Sequence, residues 1–208
     1  MMMPLEEFTA VVLGVLAVYL STKQNVWTYP LGIISVFIYI DIFYEVKLYA
    51  DMGLQVFFIA LLIYGWHEWL YGGENKTELH VSKTPKKIIG GNIFFVVSAT
   101  GILGYSLHQL TDASLPYVDS FLAVLSMSGQ YLQARKYLGN WSVWVAVNTG
   151  SIAMYEMKGL YFTMALYGVY LALAILGYRE WKNDFLRKNS STVTFDSVIT
   201  KEFLKQHE

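Results

Sequence analysis

Long apolar runs separated by short polar breaks fill most of the chain. Seven of them reach the length needed to cross the roughly 30 Å hydrocarbon core of a bilayer. The pattern predicts spans at about 5–22, 26–45, 48–71, 87–108, 117–136, 139–157 and 159–181, with the first and sixth the least apolar. A bilayer gives backbone amides no water partners, so these spans are helices. They are also far longer than the alternating strands of an outer-membrane barrel. The tail from Asn183 to Glu208 is polar, with Phe195, Val198, Ile199 and Phe203 at near-helical spacing. That spacing suits a short amphipathic helix on a membrane or partner surface, and a frayed end fits as well.

The chain repeats itself. Residues 48–69 (LYADMGLQVFFIALLIYGWHEW) and 160–181 (LYFTMALYGVYLALAILGYREW) are identical at ten of twenty-two positions, among them Gly65/Gly177, Glu68/Glu180 and Trp69/Trp181. Upstream, Tyr44-Glu45-Val46-Lys47 matches Tyr155-Glu156-Met157-Lys158 with one extra residue, Gly159. The third and seventh spans therefore correspond, and by extension spans 1–3 match spans 5–7 with span 4 joining them. An even number of crossings separates the copies, which makes the repeat parallel, about an axis along the membrane normal. Such repeats hold a solute site at their interface near mid-membrane. The expected division is a first three-helix bundle over 5–71, a linker helix over 87–108, a second bundle over 117–181 and a tail over 182–208.

Polar side chains in a span face the bundle or a cavity, because lipid gives them no partner. The fifth span carries Asp119, Ser126, Gln130, Gln133 and Tyr137, and the sixth Trp141, Trp144, Asn148 and Tyr155. At 100° per residue each set falls on one helix face, the first within about 60°. Gln130 and Trp144 come to one depth, and Asn148 lies level with Ser126 and Met127. An aromatic plane beside amides and hydroxyls suits a flat ring bearing a polar sugar or amide. Asp119 sits in the first turn of its helix, where an acid caps the amide end. In the first half, Ser35, Tyr39 and Gln55 are further candidates, while Asp41 reads as an acid deep in a span and a functional suspect.

Charge orients the chain. Eleven Lys and Arg residues (23, 76, 83, 86, 87, 135, 136, 179, 182, 187, 188) fall on one side and only Lys47 and Lys158 on the other. The positive-inside rule places the 72–86 loop and the C-terminus in the cytoplasm and the N-terminus outside. Tyr and Trp near span ends, such as Trp27, Tyr29, Trp66, Trp69, Tyr71, Tyr178 and Trp181, read as an interfacial belt. The composition, 55% hydrophobic and 15% charged with a net charge of −1, argues against a nucleic-acid partner. With no cysteine there is no disulfide, thiolate metal site or cysteine nucleophile. No phosphate-binding GxxxxGK[ST] loop, zinc HExxH pattern or Schiff-base lysine in the last span is present, so neither metal nor cofactor is expected.

Asn140-Trp141-Ser142-Val143-Trp144-Val145-Ala146-Val147-Asn148 resembles the NWxxWxxxN signature of the nicotinamide riboside transporters called PnuC. Leu48-Tyr49-Ala50-Asp51, Leu54-Gln55-Val56-Phe57-Phe58, Tyr64-Gly65-Trp66, Asp119-Ser120 and Arg135-Lys136-Tyr137 also look like that family, over about residues 8–182. The resemblance implies a 3+1+3 fold related to SWEET sugar transporters, assembly as trimers, and facilitated diffusion across the bacterial inner membrane. It further implies a cytoplasmic kinase that traps the vitamin, with Trp141, Trp144, Asn148 and Gln130 near the solute. One departure is that Gly32-Ile33-Ile34-Ser35 stands where the family often has G-x-x-N. This leaves thiamine, and less readily riboflavin, open beside nicotinamide riboside. A membrane enzyme and a sensor or scaffold acting through the tail are the readings from other classes.

Overall fold

A computed structural model describes residues 5–45, 49–111 and 114–205, with side chains over 5–45, 52–111 and 114–190. It holds seven α-helices: α1 (Leu5–Thr22), α2 (Thr28–Glu45), α3 (Tyr49–Tyr71), α4 (Lys86–Leu110), α5 (Pro116–Ala134), α6 (Asn140–Met157) and α7 (Tyr161–Lys205). The seven expected spans are all helical, and their bounds shift by at most two residues except at the end of the last. There the helix does not stop at 181 but runs unbroken for 45 residues. The tail, expected as a separate or frayed piece, thus continues the seventh helix in its backbone; its side chains beyond Ser190 lie outside the described residues. Nothing between Tyr178 and Lys205 breaks a helix, since the segment has neither Pro nor Gly.

Five helices are long and apolar enough to cross a membrane: α1, α2, α3 from Met52, α4, and α7 to Ser190. The two that fall short are α5 and α6. The first span, expected to be weak, has a mean hydropathy of 1.5. The fifth is the polar one, because Ser126, Ser128, Gln130 and Gln133 share its length with Asp119 and Ser120. Ser120, Ser128, Gln130 and Gln133 are among its buried residues.

Packing runs α1 on α2, α2 on α3, α3 on α5, α5 on α6, α6 on α7, and α7 back on α1. These six close a ring, and α4 packs on α5. Asn92 and Ser128 join α4 to α5 by a 2.5 Å hydrogen bond, and Gly104 leaves room for the Tyr117 ring. Phe94, Val97 and Ile102 on α4 are more than two-thirds exposed, an apolar flank suited to lipid.

A single shift relates the two halves of the ring. Both bounds of α6 are those of α2 plus 112, and α7 begins 112 residues after α3. The YEVK/YEMK match lies one residue off the register the helices follow.

Gly65 and Gly177, 112 apart, do the same job. A Cβ on Gly65 would strike the Tyr29 ring, and one on Gly177 the Trp141 ring. Tyr29 meets Trp69 edge-on at 5.1 Å and 89°, and Trp141 meets Trp181 at 5.3 Å and 87°. These pairs form the main core cluster, near the ends of the helices that carry Lys23 and Arg135.

Candidate functional site

The end bearing Lys23, Arg135 and Lys136 is closed by large aromatic side chains. Trp69 and Trp181 touch across the ring with centroids 5.7 Å apart. Trp69 Nε1 donates to the Gln133 carbonyl at 3.0 Å, and Trp181 Nε1 to the Ser21 carbonyl at 3.0 Å. Trp141 is 1% exposed and packs on Gly177 and Trp181. It stands in this core, not in an interfacial belt, and its buried Nε1 has no hydrogen-bond partner among the described residues. Trp69 and Trp181, expected as belt residues, are likewise core. Trp144 is half-buried, packs against the same cluster and over Gly129, and donates to Gln133 Oε1 at 2.9 Å. The aromatic cluster makes a floor.

Above the floor lies a polar layer. With a 1.5 Å rise, Ser35, Ser126, Asn148, Ser151 and Tyr39 fall roughly 10–17 Å from the basic ends of their helices, near mid-membrane. Two amides in and below it lack partners. Gln130, 7% exposed, has a buried Nε2 without a hydrogen bond. Asn148 is 5% exposed and makes no side-chain hydrogen bond among the described residues. A buried amide without a partner is costly, by about 1–3 kcal/mol, so such groups point to a missing ligand or water.

The other candidates divide. Ser35 Oγ donates to the Ala10 carbonyl at 2.9 Å, so its proton is already engaged. Ser126 Oγ donates back to the Leu122 carbonyl at 2.7 Å. Tyr39 is half-buried and stacks on Phe43. Gln55 is half-buried on α3 with no contact tying it to the amides. Asp41 is exposed, one turn from the end of α2, so the acid that looked deep in its span sits at the rim. Asp119 does not cap α5. Leu115 holds the cap position, and Asp119 bonds Lys158 at 3.0 Å.

Sequence reasoning missed the contribution of α7. Tyr167 stacks on Tyr155 at 5.2 Å and meets Tyr170 edge-on at 6.0 Å. The Tyr170 hydroxyl and Ser35 Oγ converge on the space over Gly14, where a Cβ would lie 2.9 Å from the former. Tyrosines spread through an apolar helix carry no periodic signal, so only packing reveals them. Hollows of about 360 and 430 Å³ flank α4 and are lined almost wholly by apolar atoms. They do not suit a solute rich in hydroxyls.

Lys136 lies in the turn past α5, 5% exposed, its ammonium 4.4 Å from the Trp69 ring centre and 3.5 Å from Gln24 Oε1. Burial pushes it down from the usual lysine value to about 8. A lysine whose folded pKa is depressed binds fewer protons when folded than when unfolded between that value and about 10.5. Stability should therefore rise with pH across that window. Lys136→Gln, which copies its equivalent Gln24, should flatten the rise, as thermal melts at pH 7.5 and 10 would read.

The nicotinamide mononucleotide transporter family model matches residues 5–183. The chain is 26% identical over 213 residues to the nicotinamide riboside transporter PnuC of Escherichia coli (strain K12), covering 90% of this chain and 89% of that one. It is 25% identical over 173 residues to the riboflavin/roseoflavin transporter RibM of Streptomyces davaonensis, covering 82% and 81%. The crystal structure of the vitamin B3 transporter PnuC superposes with a TM-score of 0.68 at 25% identity, covering 88% of this chain and 82% of that one.

Proposed function

The chain belongs to the nicotinamide mononucleotide transporter family, and from that premise we propose that this multi-pass membrane protein carries nicotinamide riboside by facilitated diffusion. Its relatives are transporters, not enzymes. The observation that carries the substrate reading is the buried Gln130 Nε2, without a partner among the described residues, beside the buried residue Asn148, whose amide bonds none of them, both set over an aromatic floor that includes Trp144. Amides bond a carboxamide or ribose, and the indole faces a flat ring. Ser35, Tyr39, Ser126, Trp141 and Gln55 complete the proposed set, with Ser35 limited to accepting hydrogen bonds. Nothing in such a site drives transport, so uptake would become one-way through phosphorylation by a cytoplasmic kinase.

The architecture in this reading is a 3+1+3 parallel repeat, like that of SWEET transporters: bundles over 5–71 and 117–181, a linker at 87–108 and a tail from 182. The shift of 112 supports it, because it carries every contact of the ring onto another. The α3–α5 contact maps to α7–α1, α1–α2 to α5–α6, and α2–α3 to α6–α7. The basic end is cytoplasmic in the inner membrane, the N-terminus periplasmic, and the protein a homotrimer.

Calorimetry of the purified protein against nicotinamide riboside, thiamine and riboflavin tests the substrate. Preference for nicotinamide riboside is expected; tight thiamine binding with none of the riboside would replace it. The riboflavin arm answers the likeness to RibM. Tyr170→Phe, which removes one hydroxyl of the polar layer, should weaken riboside binding about three- to tenfold, the worth of roughly one hydrogen bond.

A further inference from the structure

The basic end is held shut by two seams between the halves, and the shift of 112 relates them residue by residue. In the α3–α5 seam Arg135 Nη1 contacts Glu68 Oε2 at 2.5 Å. In the α1–α7 seam Lys23 Nζ contacts Glu180 Oε1 at 2.8 Å. Lys23 is the counterpart of Arg135, and Glu180 of Glu68. Gln24 and Lys136, also counterparts, touch each other, as do Trp69 and Trp181. Residues that meet their own counterparts lie where the repeat axis passes, so these pairs plug the middle of the closure.

The seams are alike in plan but unequal in hold. The Arg135–Glu68 side chains are 33% and 14% exposed, and Tyr64 adds a contact to Arg135 at 3.4 Å. The segment that leaves α3 then crosses beneath this seam. Leu79 N bonds the Trp69 carbonyl, Ser82 N the Lys136 carbonyl, Leu138 N the Ser82 carbonyl, and Gly139 N the Thr84 hydroxyl. Val81 is buried in the aromatic core. This strap, residues 77–85, binds the end of the first half to the α5–α6 turn of the second. It also meets α7, through His80 with Lys188 and Lys83 over Phe185.

The α1–α7 seam has no strap among the described residues. Its Lys23–Glu180 pair is 42% and 44% exposed, the setting in which an ion pair holds least. Gln24 Nε2 to Asp184 Oδ2 at 3.2 Å is the other side-chain link there, beside the Trp181 bond to Ser21.

We infer that solute leaves on the cytoplasmic side through the α1–α7 seam, with Lys23, Gln24, Glu180 and Asp184 as its gate and the strapped α3–α5 seam as the hinge. The inference rests on the transport reading above. Opening breaks one exposed ion pair, one half-buried amide–carboxylate bond and one indole hydrogen bond. Opening the other seam would also pull the strap from one of its moorings, either its bond to the Trp69 carbonyl or its three bonds to the α5–α6 turn, and disturb the buried Val81. Tyr170 crosses this same α1–α7 seam toward Gly14, so the polar layer and the gate share a wall.

The chain contains no cysteine, which makes paired labels simple to place. Spin labels on K23C/E180C and, separately, on E68C/R135C are compared by double electron–electron resonance in nanodiscs, over a panel of vitamins and without any. A second, longer distance population is expected at 23–180, with one narrow population at 68–135. The reverse pattern, or one narrow population at both pairs, would overturn the inference. This readout does not depend on which solute is carried. The same pairs, bridged by a short reversible thiol cross-linker in liposomes, should split uptake. Bridging 23–180 should lower it at least tenfold, with recovery on reduction, and should act at least fivefold more strongly than bridging 68–135. Equal inhibition at both pairs would also overturn it. Failure of the unmodified protein to take up nicotinamide riboside, with the distance pattern as expected, would count against the substrate alone.

Discussion

Asn148→Ala is expected to lower the affinity for nicotinamide riboside about tenfold to a hundredfold while leaving the empty protein at least as stable as before. The two halves of that result have one cause. Asn148 is buried to 5% exposure and bonds no described side chain or backbone group. An interhelical bond would be lost on truncation, and the fold would weaken. Here no such bond exists to lose, and removing an unpaired amide relieves a desolvation cost. The bound vitamin, by contrast, would be left with an unpaired polar group in a water-poor site, worth about 1–3 kcal/mol. Gln130→Met should behave alike, because its Nε2 is also buried without a partner. Calorimetric affinity and apo melting temperature, measured on the same preparations, check the pair of effects. A drop in melting temperature with unchanged affinity would make Asn148 a packing residue.

This behaviour separates what the residues announce from what only packing reveals. Hydropathy locates the seven helices, five of which are long and apolar enough to cross a membrane, because lipid constrains every face of a spanning helix. The 48–69 and 160–181 match gives the register of the repeat, since Gly, Glu and Trp at fixed offsets are rare. The stripe on α5 is legible because its polar residues are few and share one face. Gln130, read from that face, has a buried amide nitrogen without a partner among the described residues, and Asn148, read from the polar face of α6, has an amide that bonds none of them. The same logic fails for α7, where apolar residues surround the helix and nothing marks the side that Tyr167 and Tyr170 present. It also fails for tryptophan. An indole near a span end suits a membrane interface and a packed core equally well by composition. Trp69, Trp141 and Trp181 are core because a glycine or a neighbouring ring lies against each. Asp41 looked deep although the predicted span and α2 both end at Glu45, four residues on; its exposure, which hydropathy does not report, is what places it at the rim.

The largest loss of stability is expected at Gly177. A Cβ there would overlap the Trp141 ring, which is 1% exposed and wedged edge-on against Trp181. Neither ring can yield easily, since Trp181 is itself 0% exposed and bonded to the Ser21 carbonyl. Overpacking a closed core costs about 1–3 kcal/mol, and a branched side chain goes beyond one methyl. Gly177→Val should therefore lower the melting temperature by several degrees more than Gly65→Val. At Gly65 the obstructing ring is Tyr29, smaller than an indole and with a hydroxyl that makes no hydrogen bond to give up. The comparison is internally controlled, because the two glycines occupy equivalent places in the two halves and differ chiefly in the ring they face. Melts of the two variants in one detergent check it. Equal losses at the two positions would mean that Trp141 moves as freely as Tyr29. The aromatic floor beneath Trp144 would then be soft, not the fixed surface on which a flat ring could be positioned.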